Sequence, residues 1–470
     1  MSALKKIITG AIFLMYTVSL TAQDAVLSVL DATIDSLEER TIYHPVDSTY
    51  MQEIEELLAR EQKIEDAKRV IKVTERTLLE KEMSFSPDGI LSILRGGITI
   101  LSEDKFSKHP GIYRKYSRDI SDYGVASAPL AASWILKAAG LESRSTTKRM
   151  LLSNTMALAI SSSIVKGLKL AIDAPRPDKS GDDSFPSGHS SLAFVGATIL
   201  HREFGHHSAW LSVGGYAAAT ATQYLRLEHN KHWPHETFIG AGIGVVSTNL
   251  AYFITDKILG EKGINSPRFT YSDMQRVLKY NTTPSSFSFV SGSEMGSRTI
   301  NQEYIELPSD FTGKAKINIG AGFMAGIEGS WFINTNVAFD AMLKLTTSKA
   351  NLTLSGTPWQ QTPMYVSNLD SYRFSLGVRY SYPIAMAHRF SFRLFAGART
   401  INDVNFENAD DGAIMFCLPG ETKFDSGASI MYDCINTKKY SFGFNVDYHH
   451  TNSEIMPHRY GLSTVWKILL

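Results

Sequence analysis

The chain has 470 residues, enough for two or three domains. Lys plus Arg and Asp plus Glu balance at 47 each, which excludes a general nucleic-acid or polyanion binder and makes any positive field a local one. Two cysteines, Cys417 and Cys434, are too few for a disulfide scaffold or a cysteine metal site; in an oxidising compartment they make one bridge or two unpaired thiols.

Lys5 and Lys6 precede an apolar run from Ile7 to Leu20, followed by Thr21-Ala22-Gln23-Asp24. That is the order of parts in a secretory signal peptide, assigned to 1–23, and it puts the mature chain outside the cytoplasm. Residues 24–114 are expected to form an N-terminal helical region. Within it Tyr50, Leu57, Ile64, Ile71 and Leu78 recur every seven residues. Glu61, Lys68 and Glu75 fill the companion heptad position, so the pattern describes an amphipathic packing helix and not a coiled-coil seam. Residues 84–121 mix Gly, Pro and charge and read as a loop-rich connection. Helices then follow at about 124–139, 145–172, 190–203, 208–226 and 235–258, in a domain spanning 115–260. Their apolar stretches are diluted by Ala, Gly, Ser and Thr and interrupted by Lys137, Lys166, Lys169, His201 and Arg202. Core helices of a soluble bundle fit this better than membrane spans.

After a linker at 261–284 the period becomes two. Phe374, Leu376 and Val378 alternate with Arg373, Ser375, Gly377 and Arg379; Phe390, Phe392 and Leu394 alternate with Ser391 and Arg393. The same alternation marks runs from 317, 337 and 442 and the C-terminal run, with weaker runs near 285–296 and 425–433. These lengths suit tilted bilayer-crossing strands. Short turns such as Ile333–Thr335 and Pro383–Ala387 alternate with longer connections such as 403–425. Residues 285–470 are therefore expected to form an antiparallel β-barrel of about eight strands, resembling small bacterial outer-membrane barrels. A soluble β-sandwich or lipocalin-like barrel, with its apolar face inward, is the alternative. The fold class expected is multidomain α plus β, an all-α helical bundle followed by the barrel. Strongly apolar helices would stop such a chain at the inner membrane, so the diluted helices agree with a barrel bound for the outer membrane.

The chemistry concentrates between Lys169 and Glu236. Lys169 is followed after six residues by Arg176-Pro177, then by Pro186-Ser187-Gly188-His189, then by Arg226, His232 and Glu236. Lys and Arg grip phosphate oxygens, and a Ser-Gly turn entering a helix aims backbone N–H groups at an anion. One His can attack phosphorus while another protonates the leaving oxygen, and a carboxylate fixes the attacking ring's tautomer. His229 and His235 flank His232, and His206 and His207 lie upstream, but their spacing fits no common zinc motif. Asp182-Asp183 read as a solvated loop.

These residues resemble the type-2 phosphatidic acid phosphatase superfamily, which also holds bacterial acid phosphatases and vanadium haloperoxidases. Its pattern is K-x6-RP, PSGH and SR-x5-H-x3-D. The first two blocks match; in the third, Leu225 replaces Ser and Glu236 replaces Asp. The resemblance, over about 115–258, implies an all-α helical domain. It implies His232 as nucleophile forming a phosphohistidine, Glu236 as its orienting carboxylate and His189 as general acid. Lys169, Arg176, Ser187, Gly188 and Arg226 would bind the phosphoryl group, with no metal and no other cofactor. The expected function is a phosphatase for a phosphate monoester or pyrophosphate, on a phosphorylated lipid or a small phosphate ester, with no nucleic-acid partner. The barrel would contact outer-membrane lipid and hold the phosphatase domain in the periplasm. A vanadate-dependent haloperoxidase, or a weakened phosphate-binding envelope protein, are the alternatives.

Overall fold

The computed structural model describes residues 88–103, 113, 120–260, 262–265, 285–296, 298–357, 359, 364–385, 388–435 and 439–470. The signal-peptide segment and the heptad pattern between Tyr50 and Leu78 lie outside the described residues.

Six helices come first: α1 Asp88–Glu103, α2 Ile120–Ala138, α3 Thr147–Ala171, α4 Gly188–Phe204, α5 Ala209–Glu228 and α6 Pro234–Leu259. Helix α1 corrects the expectation of a loop-rich connection there. Gly96-Gly97 read as a break, but the apolar residues on either side keep helical spacing. Gly96 serves close packing instead: a Cβ there would lie 2.4 Å from Ile239 Cγ1. Ser187 and Ser208 cap α4 and α5 through their hydroxyls, and Pro234 opens α6, where a missing N–H costs nothing. Central α6 packs against α1, α3 and α4.

The strands are β1 Ser286–Met295, β2 Arg298–Asn301, β3 Lys314–Phe332, β4 Val337–Ser355, β5 Met364–Val366, β6 Leu369–Ala385, β7 His388–Ile401, β8 Val404–Asn408, β9 Ile414–Leu418, β10 Glu421–Ile435, β11 Tyr440–Thr451 and β12 His458–Leu469. All pairings among them are antiparallel. The order β1-β12-β11-β10-β7-β6-β4-β3 closes through a β1–β3 pairing, giving an eight-stranded barrel. At one end the connections are short, at 333–336, 386–387 and 436–439. At the other end they are long. The connection from β7 to β10 contains the β8–β9 hairpin, which joins β5 in a small separate sheet; the sequence reading left this stretch as an open connection.

The barrel is inside out. Arg373, Arg379, Arg393, Arg399 and Arg459 are all buried in it. Glu294 meets Arg399 at 2.7 Å and both Arg373 and Arg459 at 3.3 Å. Glu328 holds Arg393 at 3.0 Å and Lys344 at 3.1 Å, and Asp447 holds the same two cations at 3.4 and 3.1 Å. Desolvated charges are tolerable only when paired this closely. Outside, Phe374, Leu376, Phe392, Leu394 and Ile430 are about half exposed. A soluble barrel would reverse the two faces, so the soluble alternative is overturned.

The helical domain, expected as the bundle of a soluble domain, packs on the barrel. It lies lengthwise on the barrel's outer wall. Tyr216 of α5 stacks on Trp466 of β12 with ring centroids 4.8 Å apart, and Trp210 meets Phe287 of β1 at 5.9 Å. Phe238 of α6 stacks on Phe323 of β3 at 5.9 Å. Arg95 of α1 donates to the Ser291 carbonyl of β1 at 2.9 Å. Phe287, Phe442 and Trp466 of β1, β11 and β12 are thus covered by helices, while Phe339, Phe374, Phe392 and Phe424 of β4, β6, β7 and β10 stay exposed. Helices α3 and α6 are long and apolar enough to cross a membrane, and only 28% of the apolar stretch of α3 is buried.

Candidate active site

The site forms where four helix ends meet: the last turns of α3 and α5 and the first turns of α4 and α6. Glu236 organises it. As the third residue of α6 it folds back to cap the helix, accepting the Trp233 N–H at 2.9 Å. The same Oε2 meets His232 Nδ1 at 3.1 Å and accepts the Ser184 hydroxyl. Both His232 and Glu236 are almost wholly buried. Glu in place of Asp is therefore accommodated: its extra methylene lets one oxygen cap the helix and orient the ring. With Nδ1–H held by the carboxylate, Nε2 carries the lone pair that can attack.

Ser184 was missed by the sequence reading, because it precedes the Pro186–His189 turn without belonging to it. Its hydroxyl also lies 3.4 Å from His232 Nδ1. It supplies a buried hydroxyl beside the pair, which Leu225 cannot.

Lys169, Arg176, Arg226, His189 and His232 are near enough to act electrostatically on one another. Arg226 is buried at the end of α5. Arg176 binds Asp183 Oδ1 through Nε and Nη2, both at 3.0 Å, and Lys169 donates to the Asp183 carbonyl. Asp183 was read as a solvated loop residue. Its side chain is 59% exposed, but it engages a cation of the site. Ser187 caps α4, its Oγ accepting from Ser190 N at 3.4 Å, and Gly188 opens the helix with its N–H among the first-turn donors. The Ser187 carbonyl sits so close to α6 that a Cβ at Gly240 would lie 2.4 Å from it. That contact locks the turn to the helix carrying Glu236.

His189 packs against Tyr123, ring centroids 4.4 Å apart and planes inclined by 56°, and its Nε2 is buried with no hydrogen-bond partner among the described residues. Burial first, then the charge of Arg226, pushes His189 down to about 3. Burial likewise pushes His232 down to about 4, outweighing the opposing pull of Glu236. The imidazole of His232 is then neutral, and nucleophilic, at every pH above about 4. Protonation removes the attacking lone pair, so kcat/KM assigned to this group should hold into mild acid and fall as pH drops through about 4. A pH profile of kcat/KM checks this; a falling limb near the ordinary histidine value would contradict the burial of His232.

The remaining histidines do not assemble. His206 and His207 lie at the far end of α4, where His207 Nε2 meets the Glu142 carbonyl. Among the described residues no group of three His, Cys, Asp or Glu is gathered to hold a metal ion. Cys417, on β9, and Cys434, on β10, are both free thiols, so the bridge alternative does not form.

One contributor comes from the barrel and had no sequence signal. Lys349 of β4 is buried and donates to the Leu227 carbonyl at 3.0 Å, to Asn230 Oδ1 and to Asn368 Oδ1 at 2.6 Å. It clamps the α5–α6 connection, whose Asn230 has a positive φ of 53° two residues before His232. Lys349→Met would remove all three bonds, two of which tie this connection to β4, and let the loop drift. A displacement of about 1 Å can cost on the order of a hundredfold in rate. The expected result is a kcat reduced by about ten- to a hundredfold with KM nearly unchanged. An unaltered kcat would show that the barrel does not position the loop.

The helical domain is similar to proteins of one known family, and the strands that follow it form a closed barrel. Residues 150–259 match the family model described as the PAP2 superfamily. A lipid A 1-phosphatase of Porphyromonas gingivalis is 36% identical over 131 residues, 28% of this chain and 29% of that protein, so the chain spans under a third of this relative's length. Among solved structures, Aquifex aeolicus LpxE is 20% identical, covering 28% of this chain and 83% of its own with a TM-score of 0.23. Neisserial surface protein A is 10% identical, covering 39% of this chain and 97% of its own with a TM-score of 0.26.

Proposed function

We propose that the chain is a metal-independent phosphatase that removes phosphate from a lipid-linked ester through a phosphohistidine, held in an outer membrane by its barrel. The observation that carries the reading is the His232 Nδ1–Glu236 contact at 3.1 Å, set among Lys169, Arg176 and Arg226. Three cations can neutralise a phosphoryl group's charge without a metal. The lipid substrate is supported by the lipid A 1-phosphatase relative and by the apolar surroundings of the site.

In the first step His232 Nε2 bonds to phosphorus as the bond to the leaving oxygen breaks, and His189 supplies the proton that oxygen needs. Burial and the neighbouring cations keep His189 neutral before substrate binds. A phosphate monoanion brings both the negative charge that offsets the surrounding cations and the proton His189 then hands on. In the second step water attacks the phosphohistidine, His189 takes the water's proton, and inorganic phosphate leaves. The domain assignment is 115–260 for the phosphatase and 285–470 for the barrel, with α1 added to the helical packing.

The test is phosphate release from a phosphorylated lipid by the purified full-length chain in detergent. Activity should survive EDTA and be inhibited by vanadate, which adopts the geometry of the transferring phosphoryl group. Loss on chelation, restored by zinc or magnesium, would overturn the metal-independent mechanism.

A further inference from the structure

The barrel's two ends differ, and the site lies at one of them. Helix α5 starts with Trp210 against Phe287 near the short turns and finishes at Glu228, which accepts from Asn368 in the connection leading to β6 at 3.1 Å. Helix α6 returns from the site toward the short-turn end. Trp233, next to His232, packs on the apolar cluster built by the long connections, with Val404, Phe406 and Phe416. Lys349, which clamps the loop, also sits toward the long-loop end of β4. The active-site ends of α3 to α6 are therefore level with the long loops, and the opposite helix ends are level with the short turns.

Two further observations concern the mouth. Leu170, beside Lys169, is 89% exposed, and Ile172 is 40% exposed. Tyr123, which packs against His189, is 58% exposed. An apolar rim thus borders a cationic interior, the pattern an acyl-chain-bearing phosphate needs. The outward face of α3 continues it through Leu151, Leu152 and Ile164. At about 1.5 Å per residue α3 is roughly 37 Å long, against a hydrocarbon layer of about 30 Å. A lengthwise-docked domain of this length shares the depth of the barrel's apolar belt, so its exposed apolar face meets lipid. Outer-membrane barrels carry short turns on the periplasmic side and long loops on the cell surface.

We infer that the site opens sideways into the cell-surface leaflet and acts on phosphate esters of lipids already resident there. This rests on the phosphatase reading for its chemistry, but its orientation does not. This inference departs from the periplasmic placement expected from the sequence: the barrel's ends lie at its short-turn side, and the helices run back along its wall to carry the site to the long-loop side.

The test uses the full-length chain in intact cells, in a Cys417→Ser, Cys434→Ser background, with a membrane-impermeant maleimide. Single exposed cysteines report each level: Asp182→Cys beside the site, Asp410→Cys in the long loops and Thr335→Cys in a short turn. Label on Asp182→Cys and Asp410→Cys in intact cells, with Thr335→Cys reacting only after the outer membrane is permeabilised, is the expected result. Protection of Asp182→Cys in intact cells, with or without label on Thr335→Cys, overturns the inference even if the enzyme is active. A second arm compares a two-chain lipid phosphate with a water-soluble ester of the same headgroup, both in detergent with the unsubstituted protein. The expected kcat/KM is at least about tenfold higher for the lipid, equivalent to about 1.4 kcal/mol. Equal values would leave a soluble ester as substrate and overturn the lipid assignment, while inactivity on both would sink the phosphatase reading and leave the labelling result standing.

Discussion

His232→Ala abolishes turnover, with an expected loss on the order of 10⁴-fold or more. The size follows from the step removed. Without the imidazole there is no covalent intermediate, and water must attack the ester directly in a pocket shaped for a ring nitrogen. What survives is the charge stabilisation from Lys169, Arg176 and Arg226, which accounts for only part of the rate. The neighbouring changes should grade differently. Glu236→Gln keeps the helix cap partly intact but removes the charge that orients Nδ1–H, so its loss should be large yet smaller than that of His232→Ala. Steady-state turnover with a lipid phosphate reads both. Near wild-type turnover in His232→Ala would exclude the mechanism.

The second large effect is on assembly. Glu294→Ala is expected to destabilise the barrel by about 3–5 kcal/mol, the scale for removing one partner of a buried ion pair. Glu294 faces Arg373, Arg399 and Arg459 at 2.7–3.3 Å and accepts from Thr346 at 2.8 Å. Its removal takes a carboxylate from three buried guanidinium groups, of which, among the described residues, only Arg373 keeps another, Asp425 at 3.1 Å. Combining Glu294→Ala with Arg399→Met should cost less than the sum of the two single changes, because the second change removes one of the stranded charges. Urea unfolding of the full chain in lipid vesicles measures this. A loss below about 1 kcal/mol, the size seen for exposed pairs, would mean that the interior is wetter than its burial indicates.

Much of this architecture was legible in the sequence, for identifiable reasons. The eight barrel strands were marked by their period of two, since each has one face inside the barrel and the other outside it, and the five helices from α2 to α6 were marked by apolar stretches between polar breaks. Helix α1 was not, because Gly96 looks like a helix breaker until the neighbouring α6 is seen to need the space. The docking of helices on the barrel was hidden for a deeper reason. Trp466 and Phe287, which meet α5, follow the same alternation as Phe374 and Phe392, which are exposed; an outward aromatic reads alike whether lipid or a helix covers it. In the site, the motif spacing singled out Lys169, Arg176, His189, Arg226, His232 and Glu236, and the structure gathers them around four helix ends. Ser184 and Lys349 lay outside any spacing rule. Each acts through a tertiary contact, Ser184 on Glu236 and Lys349 on the loop before His232, and such contacts leave no periodic trace.

The covalent intermediate is the most direct test of the whole account. Full-length protein mixed with a lipid bearing a radiolabelled phosphate, then quenched within one turnover, should carry protein-bound label that is stable to alkali and labile to acid, as a phosphohistidine is. Proteolysis should place it on the peptide containing His232, and His232→Ala should carry none. Turnover at a normal rate with no protein-bound label at any quench time, or label on a peptide lacking His232, would contradict the mechanism proposed for this site.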